Sequence, residues 1–111
     1  MTLKELCTQL GAPLMVRIRY PCNAFEGLGR THTCYLDPER CSVVVYGKST
    51  IPEPVGTGFN ETEAITSLVR NLVELRKSNA LLLGPDVVFI RCRSVYDHQI
   101  REVPIPADLT V

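Results

Sequence analysis

Apolar residues recur along this chain at two different spacings. From Glu61 to Ser78, Ala64, Ile65, Leu68, Val69, Leu72, Val73 and Leu75 return at three- and four-residue intervals, with Thr62, Ser67, Arg70, Asn71, Glu74 and Lys77 between them. That spacing predicts an amphipathic helix with one wide apolar face. Asn60 stands at the N-cap position and Glu63 where a capping carboxylate reaches back. Arg76 and Lys77, near the expected end, suit the negative pole of the helix dipole. A shorter helix is predicted over Leu3 to Leu10, where Leu3, Leu6, Cys7 and Leu10 share a face. Thr2 and Glu5 have the spacing of a capping box, and Gly11 followed by Pro13 ends the helix.

The second spacing is an alternation. In Leu14 to Tyr20, Val16, Ile18 and Tyr20 fall on one side and Met15, Arg17 and Arg19 on the other, as in a strand closed by Pro21. Cys22 to Gly29, with Asn23 and two glycines, reads as a loop. Arg30 to Leu36 and Cys41 to Gly47 flank Asp37-Pro38-Glu39-Arg40, which has good turn chemistry. A hairpin built on that turn sets Leu36 opposite Cys41, Cys34 opposite Val43 and His32 opposite Val45. Thr31, Thr33, Tyr35, Ser42, Val44 and Tyr46 fall on its other face. Lys48 to Phe59 reads as a long surface connection. Gly84-Pro85-Asp86 marks a turn before a last strand, Val87 to Arg93, with Val88, Ile90 and Cys92 inward and Phe89, Arg91 and Arg93 outward. Ile100 to Val111 has two prolines and little periodicity, as expected of an edge-lying or mobile tail. The order is α-β-β-β-α-β. It predicts an α+β fold, with an antiparallel sheet of three to four strands and two helices packed on one face.

Composition narrows the class. A chain of 111 residues fits one domain, 1–111, and 45% hydrophobic with 22% charged content is that of a globular protein. No apolar run approaches the roughly 20 residues that span a bilayer. The first residues lack a signal-peptide layout, so a cytoplasmic location is expected, or a nuclear one in a eukaryotic host. Twelve basic residues balance twelve acidic ones, which argues against a non-specific nucleic-acid binder. The five cysteines, Cys7, Cys22, Cys34, Cys41 and Cys92, form no CxxC pair, and His32 and His98 are far apart. In a reducing compartment they read as small buried hydrophobes, with no metal and no other cofactor expected.

The segment Gly56-Thr57-Gly58-Phe59-Asn60-Glu61-Thr62-Glu63-Ala64, placed after three strands, resembles the double-stranded-RNA-binding domain over about residues 1 to 79. That family has a glycine pair, a capping residue, a lysine pair and an alanine there, and its lysines grip phosphates of A-form RNA. Glu61, Thr62 and Glu63 occupy this stretch instead, and two carboxylates repel a phosphate backbone. The pattern is also similar to a small helix-sheet-helix sandwich of phage-encoded proteins, whose second helix opens with Glu-Ala-Ile, as Glu63-Ala64-Ile65 does here. This second likeness implies an accessory protein of a phage or mobile element that binds a host component, such as an antiviral defence factor.

Chemistry-bearing constellations are few. Cys34 and His32 share a strand face, yet a nucleophile and base need a polar pocket, and these sit among Leu36, Val43 and Val45. A zinc set of Cys34, Cys41, Cys92 and His32 competes with the same four residues as sheet core, and the core reading is preferred. No catalytic motif is expected to make this chain an enzyme. The distinctive surface is the outward sheet face, where Arg17, Arg19, Arg91 and Arg93 are interleaved with Tyr35, Tyr46 and Phe89. Arginine and tyrosine there suit a protein partner. The same set suits single-stranded nucleic acid, which zero net charge, Glu61 and Glu63 demote. Met15, Val44 and Phe89, expected to be exposed, are consistent with a homodimer. The sequence thus points to a small non-enzymatic protein-binding module.

Overall fold

A computed structural model describes residues 1–18, 32–45, 48–50, 53–84 and 87–111, with the side chains of 48–49 and 81–83 left aside. Its elements are α1 (Leu3–Leu10), β1 (Leu14–Ile18), β2 (His32–Leu36), β3 (Cys41–Val45), β4 (Lys48–Ser49), β5 (Gly56–Gly58), α2 (Glu61–Leu83), β6 (Val88–Arg93) and β7 (Ile100–Pro104). The fold is α+β, with antiparallel strands and two helices.

Local chemistry sets both helices. The Glu5 N–H donates to Thr2 Oγ1 at 3.1 Å, which caps the helix, and the Thr2 hydroxyl, rather than its backbone N–H, donates to the Glu5 carboxylate at 3.2 Å. At the other end Gly11 takes the left-handed conformation (φ 65°). The Ala12 N–H then reaches the Cys7 carbonyl at 2.9 Å and the Gly11 N–H the Thr8 carbonyl at 3.3 Å, a Schellman ending. In α2 the Asn60 side chain accepts the Glu63 N–H, and the Glu63 carboxylate accepts the Phe59 N–H, both at 2.9 Å. The apolar stripe is buried as expected: Ala64, Leu68, Val69 and Leu72 lie in the core. Leu68 and Leu72 each contribute on the order of 1.5–3 kcal/mol by leaving water. α2 runs on to Leu83, past the expected end at Ser78. Arg76 and Lys77 therefore sit more than a turn before the helix end, too far to act on its dipole.

The strands divide into two sheets, of order β1-β2-β5 and β4-β3-β6-β7. This corrects the single sheet and the hairpin register. The turn at Asp37 forms, with the Cys41 N–H on the Asp37 carbonyl at 2.8 Å and the Glu39 N–H on Asp37 Oδ1 at 3.0 Å. The strands on either side of it then part. β2 uses one edge for β1 (Cys34 opposite Val16) and the other for β5 (Cys34 opposite Gly56). β3 uses its edges for β4 and for β6 (Val43 opposite Ile90). Over most of their length the two strands thus pair with others rather than with each other. The stretch from Lys48 to Phe59 is likewise more than a surface connection, since it supplies β4 and β5.

α2 packs on β5 and β2 of the first sheet and on β6 of the second, so its stripe joins both. Gly56 makes that approach possible. A Cβ there would run into the Ala64 carbonyl and the Leu68 backbone, and one at Gly58 would run into Glu63. α1 packs on β6 and β7. β7 is the outer strand of the second sheet, with Ile105 and Leu109 buried beyond it. Thr110 bridges Thr2, its N–H on the Met1 carbonyl at 3.0 Å and its carbonyl taking the Leu3 N–H at 2.8 Å. Among the described residues no helix is long and apolar enough to cross a membrane.

Candidate functional site

The arginine–aromatic set does not assemble on one sheet. Arg17 and Tyr35 belong to the first sheet, on paired strands β1 and β2, whereas Phe89, Arg91 and Arg93 belong to β6 of the second. Arg19 and Tyr46 lie outside the described residues, as do Tyr20 and the Cys22 to Gly29 stretch. On β6 the expected alternation holds, with Val88, Ile90 and Cys92 buried and Arg93 exposed. Arg91 is already engaged. Its Nε donates to Glu102 Oε1 at 2.8 Å, and its guanidinium lies 5.9 Å from the centre of the Phe89 ring. This partly exposed pair is worth less than about 1 kcal/mol, but it places a carboxylate beside the cation meant for a phosphate or partner. Val44, expected on the exposed dimer surface, is fully buried, opposite Phe89. Met15 is exposed as expected.

A different surface carries an apolar concavity. α1, the start of β1, α2, the β6–β7 turn and Val111 converge on a groove of about 330 Å³. Its wall is formed by Leu3, Cys7, Ala12, Leu14, Ile65, Tyr96 and Val111, with Lys4 and Thr8 as polar members. The Thr8 hydroxyl donates to the Lys4 carbonyl at 2.9 Å, so it is held by the helix backbone. Tyr96 and Val111 are 66% and 56% exposed and stand together on one rim.

The β6–β7 turn places Tyr96. The Ser94 N–H donates to the Gln99 carbonyl and the His98 N–H to the Ser94 carbonyl, both at 2.9 Å, and His98 takes a left-handed φ of 59°. Ser94 is buried, and its Oγ accepts the Tyr96 N–H at 3.1 Å. Arg101 braces the turn from outside. It pairs with Asp97 at 3.0 Å, lies over the Tyr96 ring at 5.9 Å, and donates to the Gln9 carbonyl at 3.1 Å. The Gln99 N–H and the Arg101 guanidinium hold the Asp97 carboxyl below its usual range. The signal for this site was present but small: Val95 and Tyr96 form an apolar pair in an otherwise polar turn.

The four thiols among the described residues belong to the core. Cys7, Cys34, Cys41 and Cys92 are all buried. Burial pushes Cys7 and Cys34 up to about 11, with neighbouring Cys92 and Cys7 adding respectively, so at neutral pH both stay protonated and are poor nucleophiles. The sheet division also separates His32 and Cys34 on β2 from Cys41 on β3 and Cys92 on β6. Among the described residues no group of three or more His, Cys, Asp or Glu is arranged to hold a metal.

No protein family, no curated protein and no solved structure matches this chain.

Proposed function

We propose that this chain is a non-enzymatic binding module that takes an apolar anchor from a protein partner into the groove rimmed by Tyr96 and Val111. The observation that carries this reading is the groove itself: about 330 Å³, walled almost wholly by apolar side chains, with an exposed tyrosine on its rim. Partner side chains that fill such pockets supply most of the energy of an interface, and tyrosine is enriched among such residues. Burial of the four described thiols supports a binding role over nucleophilic chemistry.

The earlier arginine–aromatic reading is weaker, because the side chains fall on two sheets and Arg91 is paired with Glu102. The order α1, β1, β2, β5, α2 supports a likeness in outline to the double-stranded-RNA-binding domain, with β3 and β4 inserted. The first turn of α2 argues against RNA there, since Glu63 serves as a cap and Glu61 adds a second negative charge. An accessory role for a phage or mobile element, acting on a host factor, fits a module that works by occupying a partner.

Affinity capture from the native host with wild-type chain and with Tyr96→Ala tests the reading. Tyr96 is exposed, so its truncation should leave the melting temperature nearly unchanged. Loss of the rim ring that flanks the partner's anchor should weaken capture by roughly 10-fold. Capture unaffected by Tyr96→Ala and by Ile65→Ala would refute it.

A further inference from the structure

Cys41 on β3 and Cys92 on β6 are directly opposed in the antiparallel register. The Arg93 N–H donates to the Arg40 carbonyl at 3.0 Å, which makes Cys41–Cys92 a non-hydrogen-bonded rung. Opposed Cα atoms at such rungs are about 4.5 Å apart, within the range a disulfide spans. The Cys41 thiol donates to Cys92 Sγ at 2.9 Å, so the two sulfurs face each other directly.

We propose that Cys41 and Cys92 form a modification site, a buried dithiol that a hydroperoxide closes into a disulfide joining β3 to β6. Access favours a small oxidant. A cleft of about 10 Å³ is lined by Cys41 together with Val43, Pro54 and Leu72. That is room for about one water molecule, far too little for a tripeptide disulfide, and hydrogen peroxide, with two oxygens, enters as the cleft widens locally. In the first step the Cys41 thiolate attacks one peroxide oxygen and the O–O bond breaks. Sulfur becomes a sulfenic acid, and the departing hydroxide takes up a proton to leave as water. In the second, the Cys92 sulfur attacks the Cys41 sulfur, the S–O bond breaks, and a second water leaves with the Cys92 proton. Two thiols and one peroxide give one disulfide and two waters; the sulfurs lose two electrons and the peroxide gains them.

Burial, the adjacent Cys92 sulfur and the Asp37 carboxylate all push the Cys41 thiol upward. The thiolate is therefore scarce, and closure is slow beside that of an exposed reactive cysteine. Cys7 is the third thiol in this part of the core, close enough to raise the Cys41 thiol and to be raised itself by Cys92. Once formed, the bond encloses a loop that includes α2, so it stabilises by restricting the unfolded chain.

The primary reading is on the wild-type chain, with Cys7→Ser as a check that the buried Cys7 takes no part in the link. Folded protein is treated with hydrogen peroxide, quenched, alkylated in denaturant and digested with trypsin. Cleavage after Arg40, Lys48, Arg91 and Arg93 leaves the two cysteines on separate short peptides, 41–48 and 92–93. The expected product is these two peptides linked and lighter by two hydrogens, released by dithiothreitol, and equally present in Cys7→Ser. The oxidised protein should melt higher by roughly 10 °C. Recovery of Cys41 and Cys92 as alkylated thiols, over-oxidation of Cys41 without a link, or a link from either to another cysteine would overturn the assignment.

Discussion

The α carbon of Gly11 lies against the hydroxyl of Ser94, so close that any side chain at position 11 would collide with Ser94 Oγ. The two segments are also joined by the Val95 N–H, which donates to the Gly11 carbonyl at 2.9 Å. One glycine thus ends α1 and seats the turn that carries Tyr96. Gly11→Ala should cost about 2–4 kcal/mol, from the left-handed φ and the collision together. Urea denaturation measures this. If the collision is a large part of the cost, Ser94→Gly added to Gly11→Ala should recover some of it, leaving the φ penalty.

Gly56 faces a harder wall, because the atoms that a Cβ would meet are backbone atoms of α2. Gly56→Ala should therefore destabilise by about 3 kcal/mol or more, by forcing β5 away from the helix. Asn60→Ala, at the adjacent cap, should cost only about 1 kcal/mol. The order of the two denaturation midpoints checks that the close approach matters more than the cap.

Asp97 links the turn to acid pH. Its carboxyl is depressed in the folded state by the Gln99 N–H and by Arg101. A depressed acid contributes stability above its unfolded value, about 3.9, and loses it as pH falls through the folded value. Asp97→Asn should flatten the stability profile below about pH 4 and leave it nearly parallel to wild type above that. Urea midpoints across an acid pH series read this out.

The thiols act at the opposite end of the scale. Cys7 and Cys34 are raised to about 11, and a raised acid contributes stability below its unfolded value that is lost as pH rises through the folded one. Stability should fall between about pH 8.5 and the folded values. Cys34→Ala should fall less steeply than wild type over that window, whatever its starting stability. In the native state at neutral pH, both thiols should react with iodoacetamide far more slowly than in denaturant.

What could be read from the sequence was what depends on near neighbours. Thr2 with Glu5, Gly11, and Asn60 with Glu63 fix helix ends by contacts three to five residues long, and all appear where their spacing puts them. The inward set of β6 follows from alternation alone. The sheet division was not legible, because Asp37-Pro38 specifies a turn without saying whether the flanking strands pair with each other. β5 was hidden for a related reason: Gly56-Thr57-Gly58 has almost no side chain to alternate, and its place is set by contact with α2. Once β2 and β3 part, Arg17 and Arg91 cannot be neighbours in one sheet, and the arginine–aromatic face dissolves. The groove was out of reach altogether, since Leu14, Ile65, Tyr96 and Val111 meet only when five separate segments converge.

Site-specific photo-crosslinking in the native host tests the groove most directly. A photoreactive phenylalanine at position 96 keeps an aromatic ring on the rim, and the same group at position 74 or 93 samples exposed surface elsewhere. A protein partner crosslinked from position 96 and not from 74 or 93 is the expected result. Capture from position 93 with none from 96 would contradict the groove as the binding site and return the search to the arginines of β6.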